Sequence, residues 1–298
     1  MVIPCKDRQL ELDRAVQSVL AQTLRALEIV IIDDGSETPL RVPELPFLRL
    51  VRQANAGPAA ARNKGAALAT GDWIALLDSD DVWFPSKLQE QWDLIQKHSA
   101  EFCFGNMDMS SWGIKLDYSS WIDDGSSAGL CSHPLDQLVK GCYIPTSTIL
   151  VRREVFEKVR GFDCQLKFYE DYDLTLRLAN HVKVAITNKD VGSYIRCGDS
   201  FGRLAKEPIG LEAEAQVLGK VACDATYAPR IRKAAQQRIG EVLFDLAYLH
   251  RKRGHPRLCA ITTLRAIAHK NRASVKDLKN LLFCFPESLR NRNEAANS

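Results

Sequence analysis

The chain has 298 residues, of which 46% are hydrophobic and 26% are charged, a composition typical of a folded globular protein and unlike that of a disordered or collagen-like chain. Its 40 Lys and Arg are nearly balanced by 37 Asp and Glu, so the net charge of +3 does not indicate a nucleic-acid-binding protein. No apolar run reaches the roughly 18 residues of a membrane-spanning helix, and the first residues lack a signal-peptide pattern. We therefore expect a soluble, cytoplasmic protein, with its nine scattered cysteines present as thiols.

The first hundred residues alternate short apolar runs with amphipathic segments. Their spacing predicts, in chain order, a very short strand at 2–4, a helix at 8–23, strands at 27–32 and 47–51, a helix from Pro58 to about Gly71, a strand at 73–77 and a helix from Pro85. This alternation of strands and helices with short connections predicts an α/β fold whose mostly parallel sheet is covered by helices on both faces.

Beyond residue 100 the pattern changes twice. Residues 100–200 are irregular, and from Glu212 onward the sequence becomes helical. Two antiparallel helices are predicted at 230–250 and 256–270, the second with Ile261, Leu264 and Ile267 on its packing face. We therefore divide the chain into an α/β domain at 1–205 and a C-terminal helical extension at 206–298.

The C-terminal extension is locally basic. Between Arg251 and Arg292 there are eleven Lys or Arg but only two acids, Asp277 and Glu287. Such a bias is typical of a solvated helical face, and it also fits attraction to anionic lipid headgroups.

Acidic residues follow two of the predicted strands. Asp78-Ser79-Asp80-Asp81 comes directly after an apolar run, and clustered carboxylates at a strand end need a counter-charge. Oxygen ligands suit Mg²⁺ or Mn²⁺. A turn with helix-capping Asp is the simpler alternative.

The second acidic group is Asp33-Asp34-Gly35-Ser36. A carboxylate at the end of a parallel strand is placed to accept hydrogen bonds from a ribose or a base, although as an isolated string this is only an Asp-Gly turn. Arg62 lies in an Ala-rich helical segment, where it would either donate to a phosphate or base or form a surface ion pair.

A third pair of acids, Glu170 and Asp171, precedes an apolar helical segment. They are either acids stabilised at a helix N-terminus or, for one of them, a general base aimed at a substrate hydroxyl. Periodicity does not separate these two interpretations.

The order of these motifs resembles that of the family 2 glycosyltransferases of the GT-A fold. The resemblance spans roughly residues 2–200 and is carried by these segments in family order: Ile3-Pro4, Asp33 to Ser36, Asn55 to Asn63, Leu77 to Asp81, Gly161-Phe162-Asp163 and Glu170-Asp171.

The resemblance implies a role for each matching residue. Pro4 and the loop after it would flank the nucleobase, with Asp33 or Asp34 contacting uracil or ribose. On the same side would lie the other residues expected to bind the nucleotide sugar: Arg62, Asp78 and Ser79. Asp80 would bind the Mn²⁺ or Mg²⁺ that bridges the donor diphosphate, with Asp81 in support. Asp171 would be the general base that deprotonates the acceptor hydroxyl, with Glu170 beside it, and the product would be inverted.

The expected donor is a nucleoside-diphosphate sugar, with UDP-sugars favoured, and the expected acceptor is a saccharide or a lipid-linked sugar in polysaccharide or glycoconjugate biosynthesis. The basic C-terminal helices suggest peripheral contact with the inner membrane face. Relatives usually have more apolar residues before Ile-Pro, so we expect a short first strand. They also often carry a His shortly after a Tyr-Arg pair, and none follows Arg196 here.

Two other functions compete with sugar transfer. A nucleotidyltransferase has a similar sheet and metal carboxylates, but its phosphate loop after the first strand is rich in Gly, and the segment from Cys5 to Arg8 contains none. The third candidate is a catalytically inactive sugar-nucleotide-binding scaffold, against which Asp80 and Asp171 argue.

Overall fold

The computed structural model describes residues 1–195, 207–270 and 275–284. The chain divides into two compact units, one made of Met1–Leu138 and Cys142–Gly198 and the other of Val139–Gly141 with the C-terminal helices. The predicted domain boundary between residues 205 and 206 lies outside the described residues, so that division stays a prediction.

A parallel sheet forms the first half of the larger unit. Its strands, in spatial order, are β1 (Val2–Cys5), β2 (Ile29–Asp34) and β3 (Leu48–Gln53). The next strand, β4 (Trp73–Ala75), leads into a segment beside β1, where the Leu77 N–H donates to the Val2 carbonyl at 3.1 Å. The Val2–Leu76 bridge is also parallel. The carboxyl ends of β1, β2 and this segment therefore meet at one edge, where parallel sheets bind ligands.

A second, mixed sheet completes this unit. Its further strands are β5 (Asp81–Trp83), β6 (Phe102–Asp108), β7 (Ala128–Cys131), β8 (Leu150–Arg152) and β9 (Val184–Tyr194). The order is β4-β8-β6-β9-β5 with β7 also on β9, and only β6 and β9 pair in parallel among these described strands.

The helices of this unit are α1 (Gln9–Leu20), α2 (Pro58–Leu68), α3 (Lys87–His98), α4 (Pro134–Leu138), α5 (Arg153–Lys158) and α6 (Glu170–Ala179).

The predicted α/β fold is confirmed, with shifts at the ends of the elements. Strand β2 runs through Asp33 and Asp34 because both pair in register with β3, so the acids lie within the strand and not in the turn after it. Helix α2 packs closely on β1, since a Cβ at Gly65 would lie 2.3 Å from Val2 Cγ1. Small side chains on α2 thus bring Arg62 against the sheet edge.

The smaller unit is helical, as predicted. It contains α7 (Pro208–Cys223), α8 (Pro229–Lys252), α9 (Pro256–Lys270) and α10 (Val275–Phe283). Across the described parts of the chain, we find no helix with both the length and the apolar character needed to cross a bilayer.

The packing face predicted for α9 is wrong. Ile261 and Leu264 are 56% and 58% exposed, whereas the buried residues of this helix are Cys259, Thr262, Thr263 and Ala266. The face with small side chains packs inward because it permits a close approach of the neighbouring helices.

Candidate active site

Two buried carboxylates organise the loops at the end of β2. Asp33 Oδ1 accepts the Ser36 N–H at 2.8 Å, and Asp34 Oδ1 and Oδ2 accept the backbone N–H groups of Ala56 and Gly57 at 2.9 and 2.8 Å. Although burial opposes the charge of Asp33, hydrogen bonds from Ser36 and the guanidinium of Arg52 lower the pKa of its carboxyl. Both acids therefore hold the loops that border the sheet edge.

Gly35 allows those two loops to touch. Its φ of 76° lies in the left-handed region, and a Cβ there would come within 2.8 Å of the Asn55 nitrogen. The Asp-Asp-Gly-Ser motif thus packs directly on the motif that begins at Asn55.

Arg62 is a buried bridge between two acids. Its Nη2 lies 2.6 Å from Asp78 Oδ1, its Nη1 lies 2.9 Å from Glu170 Oε1, and its guanidinium carbon is 5.1 Å from the centre of the Phe162 ring. Burial disfavours the cation, but Asp78 and Glu170 outweigh it and raise the pKa of Arg62. Of the two expectations for Arg62, the ion pair is present, but it is buried and not at the surface.

The acidic turn after β4 is held by Ser147. The Asp78 N–H donates to Ser147 Oγ at 3.0 Å, and that hydroxyl donates in turn to Asp81 Oδ2. Burial and the charge of Asp78 raise the pKa of Asp81 well above its usual range. The buried Asp81 thus holds the turn through Ser147. Ser79 is also buried and lies beside the Cys5 thiol.

Asp80 is paired with an arginine from the first loop. Its Oδ2 accepts a hydrogen bond from Arg8 Nη1, and its side chain is only 17% exposed. Burial and the nearby Asp78 raise the pKa of Asp80 despite Arg8. The carboxylate is therefore incompletely compensated, which is the electrostatic condition for binding a cation.

The donor set fits a divalent ion with few protein ligands. Within residues 1–195, 207–270 and 275–284, no three His, Cys, Asp or Glu side chains are arranged to hold a metal. Asp80, with Asp78 nearby, supplies the hard oxygen donors that Mg²⁺ and Mn²⁺ prefer, and Mg²⁺ in particular commonly takes its remaining ligands from water and phosphate.

Asp171 is the second residue of helix α6 and is partly buried. Thr146 Oγ1 lies 3.3 Å from Asp171 Oδ2, and Cys142 Sγ lies 3.9 Å from Oδ1. Burial, followed by the charge of Glu170, raises the pKa of Asp171 to about 6. Glu170 itself is held by Arg62, so the two acids differ in role: one is part of an ion pair, and the other is a perturbed carboxyl.

A pair of hydrogen bonds between a side chain of α2 and the backbone joins this helix to the loop before α6. Asn63 Nδ2 donates to the Phe162 carbonyl, and Asn63 Oδ1 accepts the Phe162 N–H, each at 2.8 Å. Gly161, with φ of 60°, leaves space for this amide, since a Cβ would lie 2.5 Å from Asn63 Oδ1. This contact links segments 99 residues apart.

The structure brings most of the predicted residues to one edge. Pro4 is buried within β1, so any contact with a base would come from the loop after it. Arg196 lies outside the described residues. Sequence analysis missed the contact of Arg8 with Asp80. The available signal was the position of Arg8 just after the first strand, at the same edge as the acids.

The sequence profile described as "Glycosyl transferase family 2" matches residues 1–160, which is more than half of the chain. The chain belongs to this family. The ordered motifs from Ile3 to Asp81 lie within the matched range, and Glu170 and Asp171 follow it.

Curated relatives also match the N-terminal part. An uncharacterized glycosyltransferase of Nostoc is 39% identical over 160 residues, which are 51% of this chain and 50% of the relative. A UDP-Glc:α-D-GlcNAc-diphosphoundecaprenol β-1,3-glucosyltransferase of Escherichia coli is 27% identical over 197 residues, which are 63% of this chain and 72% of that protein. The chain thus spans only half the length of the first of these relatives.

Among solved structures, Staphylococcus aureus TarS 1–349 in complex with UDP-GlcNAc superposes with a TM-score of 0.68. The match covers 98% of this chain and 91% of that one at 15% identity. At this identity the likeness shows the fold, which is GT-A, with C-terminal helices after the α/β part.

Proposed function

We propose that this chain is an inverting, metal-dependent glycosyltransferase that moves a sugar from a nucleoside-diphosphate sugar to an acceptor hydroxyl. The observation that carries the proposal is the Arg62 bridge, because it ties Asp78, on the donor side, to Glu170, the neighbour of Asp171. A site for a diphosphate and a separate carboxylate base are the two parts that sugar transfer requires.

The donor half is formed by residues at the ends of the parallel strands. The loops after Pro4 and around Asp33 and Asp34 would hold the nucleoside, and Arg62, Asp78 and Ser79 would position the ribose and diphosphate. Asp80 would bind Mn²⁺ or Mg²⁺, which when bound stabilises the negative charge on the departing diphosphate. UDP-sugars are the favoured donors, supported by the UDP-Glc donor of the Escherichia coli relative and by the UDP-GlcNAc bound in the TarS complex.

The acceptor half centres on Asp171. A carboxyl whose pKa is near 6 is ionised at neutral pH and is a stronger base than an ordinary Asp, so it is suited to take the proton of an acceptor hydroxyl. Thr146 orients one of its oxygens. Attack from the face opposite the nucleotide then inverts the anomeric carbon, whereas Glu170 remains a neighbour engaged by Arg62.

The acceptor is a saccharide or a lipid-linked sugar in polysaccharide or glycoconjugate biosynthesis, with the Escherichia coli relative, which acts on a diphosphoundecaprenol-linked sugar, in support. We place the reaction in the cytoplasm, with peripheral contact at the inner membrane face through the basic C-terminal helices. The eight described cysteines are free thiols, which is typical of a reducing compartment.

The test is a panel of UDP-, GDP-, dTDP- and CMP-sugars, measured for Mn²⁺-dependent binding by calorimetry and for hydrolysis. Asp171→Asn should lower the transfer rate by about 10²- to 10⁴-fold, because the hydroxyl loses its base, while donor affinity stays within about twofold. NMR of the product should show the inverted anomer.

The matched control is Asp93→Asn, which changes an exposed Asp hydrogen-bonded to Gln89 within α3. It should leave both binding and transfer unchanged. Unchanged turnover in Asp171→Asn would remove the base assignment, and turnover without metal would remove the role of Asp80. Transfer of a nucleotidyl group, or donor binding without any transfer, would instead support one of the alternative functions.

A further inference from the structure

Helix α9 turns its large apolar side chains outward. Leu258, Ile261 and Leu264 are 47%, 56% and 58% exposed and follow one another at three-residue intervals on the same side of the helix. The inward side carries smaller groups: the Cys259 thiol lies 3.6 Å from the Asn280 carbonyl, and the buried Thr263 hydroxyl bonds back to the Cys259 carbonyl at 2.7 Å. The helix therefore turns its small groups inward and leaves about half of each large apolar side chain exposed to solvent.

The same outer side is basic. Arg257 and Arg265 are exposed among the three apolar residues, and α9 contains no Asp or Glu. Arg265 is paired at 2.9 Å with Glu212 of α7, so the side chain that adds an uncompensated charge within α9 is chiefly Arg257.

Helix α10, which packs on α9, repeats this pattern. Val275 and Leu282 are exposed, and Lys279, also exposed, lies between them on the same side of the helix. Six of the exposed large apolar residues in this unit belong to described helices α7, α9 and α10: Ile209, Leu258, Ile261, Leu264, Val275 and Leu282.

We propose that the outer side of α9, defined by Arg257, Leu258, Ile261 and Leu264, docks on an anionic lipid bilayer. An apolar stripe flanked by cations is the pattern of a helix that lies in the membrane interface, with its apolar side chains among the acyl chains and its cations at the headgroup phosphates. The inference identifies the surface behind the proposed peripheral contact, and it does not depend on the sugar-transfer chemistry.

A second copy of the chain fits this surface less well. A twofold contact would bring the α9 helices together, and their arginines would meet without any acid on α9 to pair with them. A bilayer rich in phosphatidylglycerol provides both complementary properties, an apolar interior and a negative surface.

The experiment is flotation of the full chain with vesicles of phosphatidylcholine alone or mixed with phosphatidylglycerol. We expect binding to the mixed vesicles at 50 mM salt and much weaker binding to phosphatidylcholine, with a further decrease at 500 mM salt. Leu258→Gln/Ile261→Gln/Leu264→Gln should lower the bound fraction at least about fivefold, and Arg257→Glu should lower it by a smaller factor.

The control variant, Leu10→Gln/Leu27→Gln, replaces two exposed leucines outside the C-terminal helices and should bind like the unchanged protein. Thermal melting checks that each variant is folded, and the single change Ile261→Gln replaces the triple variant if that one unfolds. Donor binding measured on the same proteins should be unaffected, so failure of this inference is distinguishable from failure of the proposed reaction.

Three results would overturn the inference. The first is absence of binding to the mixed vesicles, and the second is equal binding by the α9 variants and the unchanged protein. The third is a dimer in light scattering that the triple variant abolishes, which would assign this surface to a second copy.

Discussion

At the scale of single residues, environment separates side chains of the same type. Glu170 and Asp171 are adjacent in sequence, yet Arg62 holds the first in an ion pair while burial raises the pKa of the second to about 6. Asp33 and Asp171 are both strand- or helix-end acids, but their pKa values move in opposite directions because hydrogen bonds stabilise the charge of Asp33.

The raised pKa of Asp171 predicts an acid limb in the activity profile. If Asp171 is the base, kcat/KM should rise with pH through about 6 and level off above it, since only the carboxylate accepts the proton. Initial rates between pH 4.5 and 8.5 with a fixed donor would measure this. A profile that is flat between pH 5 and 7 would argue against Asp171 as the base.

The same group affects stability with a defined sign. A carboxyl whose pKa is raised on folding binds more protons in the folded state between about 4 and 6, so its contribution to stability falls as pH rises through that window. Asp171→Asn should therefore melt at a higher temperature than the unchanged protein at pH 7.5, and at nearly the same temperature at pH 4.

Arg8 provides a prediction about the cation. Its guanidinium pairs with Asp80 and would therefore compete with a metal ion for that carboxylate. Arg8→Gln should for this reason bind Mn²⁺ severalfold more tightly in the absence of donor. The same variant should bind UDP more weakly, because a positive charge beside the diphosphate is lost. Electron paramagnetic resonance of free Mn²⁺ and calorimetry with UDP would measure the two effects.

The control for this prediction is Arg14→Gln, which removes an arginine of α1 that is paired only loosely, at 3.7 Å, with Glu11. It should alter neither affinity. Equal or weaker Mn²⁺ binding by Arg8→Gln would show that Arg8 and the cation do not compete for Asp80.

At the scale of elements, α2 joins the motifs into one site. Arg62 reaches the acidic turn and α6, while the neighbouring Asn63 holds the loop at Phe162. Pro58, the Ala-rich run after it and Gly71 predicted the helix itself. They did not predict its contacts with Glu170 and Phe162, because partners about 100 residues away leave no local pattern.

Gly161 tests how much the Asn63 contact matters. Gly161→Ala adds a Cβ 2.5 Å from Asn63 Oδ1 at a φ of 60°, so we expect a loss of roughly 2–4 kcal/mol in the free energy of unfolding, from backbone strain and the clash together. Urea unfolding would measure it. Gly113→Ala is the matched control, because its φ is 65° but the added Cβ would have no atom within 4 Å. It introduces the backbone strain without a clash, so it should lower the free energy of unfolding by about 1 kcal/mol.

At the scale of the whole molecule, ligand binding should stabilise the fold. Because Asp78 and Asp80 are negative and close, Mn²⁺ with UDP should raise Tm by several degrees, and EDTA should remove the metal-dependent part. In Asp80→Asn the metal-dependent rise in Tm should disappear, while any rise that UDP causes without metal should persist. An equal metal effect in Asp80→Asn would exclude Asp80 as the metal ligand.

The amino-acid sequence was enough to predict the α/β fold, the helical C-terminal part and the family. Apolar runs and helical spacing are local properties, and the ordered motifs occur at characteristic separations, so both can be recognised without coordinates. Strand ends were displaced by a few residues, as in β2, because pairing with β3 extends the strand through Asp33 and Asp34.

Tertiary structure decided which side of each element faces inward and which charges meet. Apolar periodicity selected Ile261 and Leu264 as the core of α9, yet close packing favoured its small residues and left those two outside. The pairing of Arg62 with two acids, and of Arg8 with Asp80, depends on distances between segments far apart in the chain. Electrostatic and packing energies act through space, so the roles of these side chains follow only from the folded arrangement.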